Sequence, residues 1–140
     1  MEVIIVKTEQ ELADAFEVRR TVFVGEQNVP EEEEIDQHES EAVHFVLYNE
    51  GNAAGAGRFR VLDGIGKVER ICVLKESRNS GAGVAVMNKI EDYAKSQGIT
   101  SLKLNAQTHA IPFYSRLGYE TVSEEFLDAG IPHKTMKKTI

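Results

Sequence analysis

The stretch from Val68 to Gly98 constrains the fold more than any other part of the sequence. It begins with an apolar, β-branched segment, continues through a polar turn that contains Gly81 and Gly83, and then shows the apolar periodicity of an amphipathic helix. The first N–H groups of a helix have no partner within it and carry a partial positive charge, and glycine lets a ligand approach them closely. The stretch therefore predicts a strand, a glycine-rich loop and a helix, with a site for an anion such as phosphate at the helix start.

Residue spacing excludes two common kinds of phosphate loop. A P-loop requires Lys-Ser or Lys-Thr after its last glycine, but Val84 and Ala85 follow Gly83. A dinucleotide-binding fingerprint requires a third Gly or Ala where Val86 stands. The pattern that remains, Arg-x-x-Gly-x-Gly over residues 78–83, resembles the acyl-CoA pyrophosphate loop of the GNAT N-acetyltransferase superfamily. Taken alone, this hexapeptide also fits an ordinary glycine-rich turn into a helix.

A second motif follows at the separation that the superfamily requires. Residues 110–119 read Ala-Ile-Pro-Phe-Tyr-Ser-Arg-Leu-Gly-Tyr and resemble its Ala-x-x-Phe-Tyr-x-x-x-Gly-Phe/Tyr motif. One predicted helix and one predicted strand, Ser101 to Ala106, lie between the two motifs, as in the superfamily. Residues 20–30 also look like the start of one subgroup of small bacterial GNAT proteins. By this resemblance the chain is identified as a small, single-domain bacterial GNAT protein.

The remaining patterns predict one α/β (α+β) domain over residues 1–140. Thr8 begins a capping box and hence a first helix, and alternating segments between glycine-containing turns predict an antiparallel meander. The last two strands are expected over residues 120–126 and 133–138. We therefore expect a GNAT-like mixed, mostly antiparallel central sheet of about seven strands, flanked by about four helices.

Composition narrows the range of partners. The net charge of −7 and the pI near 5.1 argue against a nucleic-acid binder, whose affinity depends on a basic face. Local backbone N–H groups can still bind an anionic cofactor. The apolar run at residues 1–6 is too short for a signal sequence or a membrane span, and the single cysteine, Cys72, fits a reducing compartment. We expect a cytoplasmic monomer or homodimer without membrane contact.

No metal site is expected. His38 and His44 have no Cys or carboxylate at the spacing of a metal site, so they are interpreted as surface and strand-start residues.

The resemblance implies acetyl-CoA as cosubstrate. The glycine loop would bind its pyrophosphate, and a backbone N–H of the central strand near Cys72 or Val73 would bind the thioester oxygen, so Cys72 itself needs no reactive role. Many members of the superfamily carry Asn three residues before the Ala of the second motif, where it contacts the pantetheine arm, but this chain has Gln107. The cofactor-binding residues implied are Ile71, Cys72, Val73, Arg78, Asn79, Ser80, Gly81, Ala82, Gly83, Gln107 and Tyr114.

Acetyl transfer to an amine requires a base. An alkylammonium, with a pKa near ~10.4, must lose a proton before it attacks the thioester. Glu69 is the best candidate because, on a strand, it shares a face with the residues expected beside the cofactor. In the alternative interpretation, which we favour, Glu69 pairs with an arginine such as Arg58 or Arg70 and has a structural role. Glu26 or a water-mediated base remains open.

Tyr114, in the second motif, is the candidate acid. The leaving thiolate has a parent thiol of pKa near ~8.5, against ~10 for a tyrosine hydroxyl. The hydroxyl would therefore either donate its proton late or hydrogen-bond the developing thiolate. In the alternative interpretation the ring only packs in the core.

The acceptor side of the superfamily's cleft corresponds to the region after the first helix. Phe23, Glu26 and Gln27 are the candidate substrate contacts, with helix-end packing and plain solvation as the alternatives. Residues 31–34 are four consecutive acids, interpreted as a solvated loop or, together with Asp36, Glu39 and Glu41, as a surface that attracts a cationic amine.

Together these features predict an acyl-CoA-dependent N-acetyltransferase. It would transfer acetyl from acetyl-CoA directly, within a ternary complex, to a primary amine of a small molecule or protein. The alternative is a catalytically silent CoA-binding regulatory or interaction module of the same fold, which Gln107 and the open choice of base leave standing. Transfer to a hydroxyl acceptor is a third interpretation.

Overall fold

A mixed β-sheet with helices on both faces forms the structure, a computed structural model that describes all of residues 1–140. The strands are β1 (Glu2–Ile5), β2 (Val43–Asn49), β3 (Asn52–Leu62), β4 (Ile65–Val73), β5 (Ser101–Gln107), β6 (Glu120–Thr121), β7 (Phe126–Asp128) and β8 (Ile131–Thr139). The helices are α1 (Glu9–Arg19), continued by a π-helix (Arg20–Glu26), then α2 (Glu31–Glu34), α3 (Ala82–Ser96) and α4 (Ile111–Arg116), with 3-10 turns at Lys75–Ser77 and Thr108–Ala110.

The strand order is β1-β2-β3-β4-β5-β8-β6, with β7 beside β8. Every pair is antiparallel except β4 and β5, which α3 connects by a crossover. The predicted α/β class, the antiparallel meander and the mostly antiparallel sheet are confirmed. The capping box is present as well, since the Thr8 hydroxyl and the Glu11 carboxylate each accept the other residue's N–H at 3.1 Å.

The sheet has eight strands, one more than predicted, because residues 120–126 do not form a single strand. Between β6 and β7 the Ser123 hydroxyl accepts a hydrogen bond from the Thr135 N–H at 2.8 Å. A side chain therefore takes the place of a strand carbonyl there and interrupts the ladder. Two short strands result, and both pair with β8.

Two apolar cores lie on opposite faces of the sheet. The larger one joins α3 and α4 to the sheet, and Gly57 of β3 lets α3 approach closely, since a Cβ there would come within 3.0 Å of the Ile90 Cδ1 atom. The smaller one joins α1 and the π-helix to the sheet through Ala15, Val18, Val22, Val46, Ala56 and Cys72. Because neighbouring side chains point to opposite faces of a strand, Cys72 of β4 belongs to the smaller core while Ile71 and Val73 pack against the larger one.

Strands β4 and β5 stay together over only a short distance. Their parallel pairing consists of Gly66 with Leu102 and Lys67 with Lys103, and beyond these pairs the strands diverge. On its other side β4 contains a bulge, because Arg58 pairs with Glu69 while Ala56 pairs with Cys72. Arg70, within the bulge, has a positive φ of 58°. The divergence opens a gap in the middle of the sheet.

A buried group of charges, called the arginine cluster here, comprises Arg19, Arg58, Glu34, Asp36 and Glu39. Arg19 contacts Glu34 at 3.0 Å and Glu39 at 2.7 Å, while Arg58 contacts Asp36 at 2.8 Å and Glu39 at 3.1 Å. Both arginines are at most 1% exposed. Buried charges are tolerated when they are paired in this way, and removal of one partner typically costs about 3–5 kcal/mol. The cluster therefore ties the segment after α2 to the sheet and to α1.

The prediction of a solvated acidic loop at residues 31–34 is wrong for the last of the four acids. The run forms the helix α2, and Glu34 is only 2% exposed. Its carboxylate pairs with Arg19 and, at 3.1 Å, with Arg70 of the β4 bulge. The other three carboxylates are exposed, as expected, whereas Asp36 and Glu39 are paired in the arginine cluster and do not belong to a free acidic surface. Two arginines that lie far away in the sequence compensate the burial of Glu34, so a local charge pattern could not indicate it.

The arginine cluster predicts a loss of stability in acid. Burial raises the pKa values of Asp36 and Glu39, but hydrogen bonds and charge from Arg58 and Arg19 outweigh it and lower both to about 2, from ordinary values of 3.8 and 4.5. Because the folded-state pKa values are depressed, the contribution is complete above about pH 4.5 and is lost as the pH falls toward 2. Urea unfolding midpoints should fall across this window. Glu39→Gln should be less stable at neutral pH and show a shallower fall, whereas a parent midpoint that stays constant would contradict the prediction.

Candidate active site

A cleft of about 810 Å³ occupies the gap where β4 and β5 diverge. Its walls come from β4, the end of β5, the π-helix, the segment around α2 and the turn between β7 and β8. The predicted site residues that line it are Phe23, Glu26, Gln27, Glu69, Ile71, Cys72, Val73, Arg78, Gln107 and Tyr114. The other predicted residues, Asn79, Ser80, Gly81, Ala82 and Gly83, form the turn into α3 and its first residues, outside the lining.

The start of α3 has the features of an anion site. Gly81 precedes the helix with a φ of +87°, and a Cβ at this position would find no atom within 4 Å. No side chain caps the helix, so its first N–H groups stay available to a ligand. Gly83 has a different role, since a Cβ there would lie 3.1 Å from the Phe113 ring of the second motif. The two sequence motifs are therefore in direct contact.

Arg78 connects the glycine loop to the opposite wall of the cleft. Its Nη2 atom donates to the Glu26 carboxylate at 2.7 Å, and its Nε atom donates to the Val73 carbonyl at 3.0 Å. Both side chains of the ion pair are partly exposed. Arg78, which was predicted to bind phosphate, is thus paired with Glu26, which was predicted to contact the acceptor.

Gln107 forms a second connection across the cleft. Its amide donates to the Gln27 side chain at 2.7 Å and accepts from it at 3.3 Å. The His109 Nε2 atom lies 2.7 Å from the Gln107 side-chain oxygen. These hydrogen bonds join the end of β5 to the end of the π-helix. The Gln107 amide, which was expected to contact the pantetheine arm, therefore bonds to other protein side chains in this structure.

The central strand offers backbone donors to the cleft. Beyond Lys67, the edge of β4 that faces β5 has no strand partner. Residues 71–73 line the cleft along this edge. N–H groups that point into such a gap can stabilise a carbonyl oxygen that acquires negative charge.

Tyr114 has its ring in the larger core and still lines the cleft. It is 9% exposed, and the rings of Phe113 and Tyr119 pack edge-on against it at 5.0 and 6.0 Å. Burial, and to a lesser degree the nearby Cys72, raise the pKa of its hydroxyl. The hydroxyl therefore stays protonated and is available as a hydrogen-bond donor.

Glu69 lines the cleft, but both of its carboxylate oxygens are engaged. Arg60 donates to them at 2.7 and 3.1 Å, and Arg58 donates to one of them at 3.2 Å. Burial raises the pKa of Glu69, but these arginines outweigh it and lower the pKa below its usual value. The predicted pairing with Arg58 is present, whereas Arg70 pairs with Glu34 and Asp36. Such a carboxylate is a weak base.

Several cleft residues are not among the site residues predicted from the sequence, although one interpretation of the acidic run makes Glu32 and Glu33 part of an amine-attracting surface. Three carboxylates without an ion-pair partner, Glu32, Glu33 and Asp128, give the cleft an acidic wall. His133 of β8 also lines it, opposite Gln107 in the strand register. Only the acidic run carried a sequence signal, since Asp128 and His133 reach the cleft through strand pairing.

Comparisons with known proteins agree with this geometry. A family model described as an acetyltransferase (GNAT) domain matches residues 5–140. The Bacillus subtilis (strain 168) protein named uncharacterized N-acetyltransferase YjcF is 54% identical over 139 residues, which cover 99% of each chain. The crystal structure of an acyl-CoA N-acyltransferase from Pseudomonas aeruginosa is similar, with a TM-score of 0.87 and 25% identity over 98% of each chain. An aminoglycoside 6'-N-acetyltransferase, solved with coenzyme A, shares the fold with a TM-score of 0.80 and 14% identity, over 99% of this chain and 97% of its own.

The chain belongs to the GNAT acetyltransferase family, and the resemblance found in its two motifs is confirmed. None of the helices combines the length and the apolar composition that crossing a membrane requires.

Cys72 should be inert toward thiol reagents in the folded protein. It is 5% exposed, and burial raises the pKa of its thiol to about 12, so almost no thiolate is present at neutral pH. Labelling by iodoacetamide, followed by mass spectrometry, should be slow in buffer and reach one equivalent in denaturant. Rapid labelling of the native protein would show a reactive thiolate and reopen a covalent role.

Proposed function

We propose that this protein is a cytoplasmic, single-domain N-acetyltransferase that transfers the acetyl group of acetyl-CoA to a primary amine. The observation that carries the proposal is the juxtaposition, in one cleft, of the free edge of β4 and the protonated Tyr114 hydroxyl. Membership of the acetyltransferase family and the name of its relative YjcF support it.

Acetyl-CoA would bind with its pyrophosphate at the start of α3. The uncapped N–H groups and the open space at Gly81 suit a phosphate, and the GNAT-fold aminoglycoside acetyltransferase was solved with coenzyme A. The pantetheine arm would follow residues 71–73 into the gap between β4 and β5. To contribute, Arg78 and Gln107 would exchange their contacts with Glu26 and Gln27 for contacts with the cosubstrate.

The chemistry would follow from the two sides of this gap. An N–H group of β4 would stabilise the negative charge on the thioester oxygen as the amine attacks. Tyr114 would donate a hydrogen bond to the sulfur as the C–S bond breaks. Because its pKa is raised, the hydroxyl is better suited to stabilising the thiolate than to complete proton transfer. Glu69 would remain ionised and hold Arg58 and Arg60 in place, and its low basicity argues against its role as the base.

The acceptor is best understood as a cation before it reacts. Glu32, Glu33 and Asp128 face the cleft without an ion-pair partner, and Glu26 would join them once a phosphate takes Arg78. Like-signed charges on the wall of a cleft raise the local concentration of oppositely charged ligands. A primary ammonium, on a small molecule or on an exposed protein side chain, matches this wall.

One observation favours the alternative of a catalytically silent CoA-binding module. Glu26 and Gln27 are hydrogen-bonded to Arg78 and Gln107, so the cleft is bridged twice by residues that a reaction would need to release. Release of free coenzyme A, measured with acetyl-CoA and a panel of primary amines, separates the two functions. Turnover supports the transferase, and binding without turnover on any amine supports the module.

Gly81→Asp should abolish binding of acetyl-CoA, because it places a carboxylate where the pyrophosphate is expected. Gly81→Asn is the matched control, since Asn has the same shape without charge and both residues tolerate a positive φ. Isothermal titration should show a loss for Asp of at least roughly tenfold beyond that for Asn, equal to about 1.4 kcal/mol. Equal affinities of the two variants for acetyl-CoA would contradict the assignment of the pyrophosphate site to this loop.

Tyr114→Phe should keep the ring in the core and remove only the hydroxyl. We expect kcat to fall by roughly 10²- to 10⁴-fold, while the Kd of acetyl-CoA changes little. This split is characteristic of an interaction made mainly in the transition state. Steady-state kinetics with the best amine of the panel, together with titration of acetyl-CoA, measure both quantities. A kcat within about threefold of the parent, with chemistry limiting turnover, would exclude Tyr114 from the mechanism.

A further inference from the structure

His133, at the start of β8, lies in the cleft, where one of its ring nitrogens has a hydrogen-bond partner in the protein and the other has none. It lines the cleft and is only 8% exposed. Its Nδ1 atom lies 2.6 Å from the Ile131 carbonyl oxygen. A carbonyl oxygen can only accept a hydrogen bond, so Nδ1 carries the hydrogen and, in the neutral ring, Nε2 carries the lone pair. The Phe126 ring stacks on the imidazole at 5.9 Å and 22° and fixes its plane.

The strand register determines the side of the sheet on which His133 lies. His133 is directly opposite Gln107, so the two side chains share a face of the sheet. Gln107 bonds to Gln27, the residue that follows the π-helix, which identifies this face as the one covered by α1. Tyr114 comes from α4 on the other face. The imidazole and the tyrosine hydroxyl therefore approach the gap between β4 and β5 from opposite sides.

The candidate bases predicted from the sequence are engaged, and the cleft carboxylates without an ion-pair partner, Glu32, Glu33 and Asp128, are exposed to solvent on its wall, unlike the buried His133. The Glu69 oxygens accept from Arg60 and Arg58, and Glu26 is paired with Arg78. The His109 Nε2 atom is bonded to the Gln107 side chain. Of the cleft's two imidazoles, His133 is the one whose Nε2 has no hydrogen-bond partner in the protein.

On the basis of the proposed transferase function, we propose that the Nε2 atom of His133 is the base that deprotonates the acceptor ammonium. The nitrogen takes one proton from R–NH₃⁺ and becomes part of an imidazolium. The amine lone pair then forms the C–N bond at the thioester carbonyl, and the tetrahedral intermediate collapses with cleavage of the C–S bond.

The proton balance needs no further reactant. The attacking nitrogen loses its second proton as the amide forms, the departing thiolate acquires a proton to give the CoA thiol, and one proton is released to water. Tyr114 stabilises the sulfur from the α4 face during this step. His133 is regenerated when it gives its proton to solvent.

His133→Asn tests the assignment, because the shorter amide can still donate to the Ile131 carbonyl but has no group at Nε2. With the best alkylamine of the panel we expect kcat to fall by roughly 10²- to 10⁴-fold at neutral pH, with an unchanged Kd for acetyl-CoA. Methoxyamine, whose nitrogen is already unprotonated at neutral pH, should lose less than about tenfold. His38→Asn, which changes a partly exposed imidazole outside the cleft, serves as the matched control and should behave as the parent.

Two results would overturn the assignment while leaving the transferase function intact. The first is a kinetic result, obtained with a parent protein that turns over. The kcat of His133→Asn would fall by the same factor with the alkylamine and with methoxyamine, or it would fall by less than about threefold with the alkylamine. The other is a nitrogen-15 NMR spectrum in which the neutral His133 ring carries its hydrogen on Nε2. If the parent releases no coenzyme A with any amine, the proposed function itself fails, and the base assignment fails with it.

Discussion

The early end of the parallel pairing between β4 and β5 is the constraint on which the functional part of this structure depends. Two residue pairs hold the strands together, and the bulge at Arg70 turns β4 away from its neighbour. An uninterrupted sheet would have used the N–H groups of β4 in a ladder and left no gap for a pantetheine arm. The same divergence brings two helical faces into contact with one cavity, so groups from both sides of the sheet can act on one bond.

The arginine cluster explains how an irregular segment can form one wall of that cavity. Residues 34–39 have few apolar side chains, and their position depends on buried contacts with Arg19 and Arg58. Exposed ion pairs stabilise proteins very little, but these arginines are inaccessible to water and have several partners each. This segment of the cleft wall is therefore held by charge pairing where a hydrophobic core would normally hold it.

Local patterns predicted the strands of the meander, the capping box and the glycine turn before α3, because such patterns act over a few residues and can be read from the sequence alone. The position of Tyr114 in the cleft was implied by the resemblance of its motif to the GNAT superfamily. The contacts that a local pattern missed join residues far apart in the chain: Gln27 with Gln107, Glu34 with Arg70, and Glu26 with Arg78. His133 belongs to the same group, because only the register between β5 and β8 places it in the cleft.

The contact between Gly83 and the Phe113 ring has a consequence for how this protein can vary over evolution. The glycine loop and the aromatic motif look like two independent signatures in the sequence, but in the structure they pack directly against each other. A methyl group added at residue 83 would lie 3.1 Å from the Phe113 ring, so the ring would have to move by a few tenths of an ångström, and a shift of α4 would press directly on the first turn of α3. We therefore expect substitutions in the two motifs to be coupled during evolution, because a change in one motif alters the space available to the other.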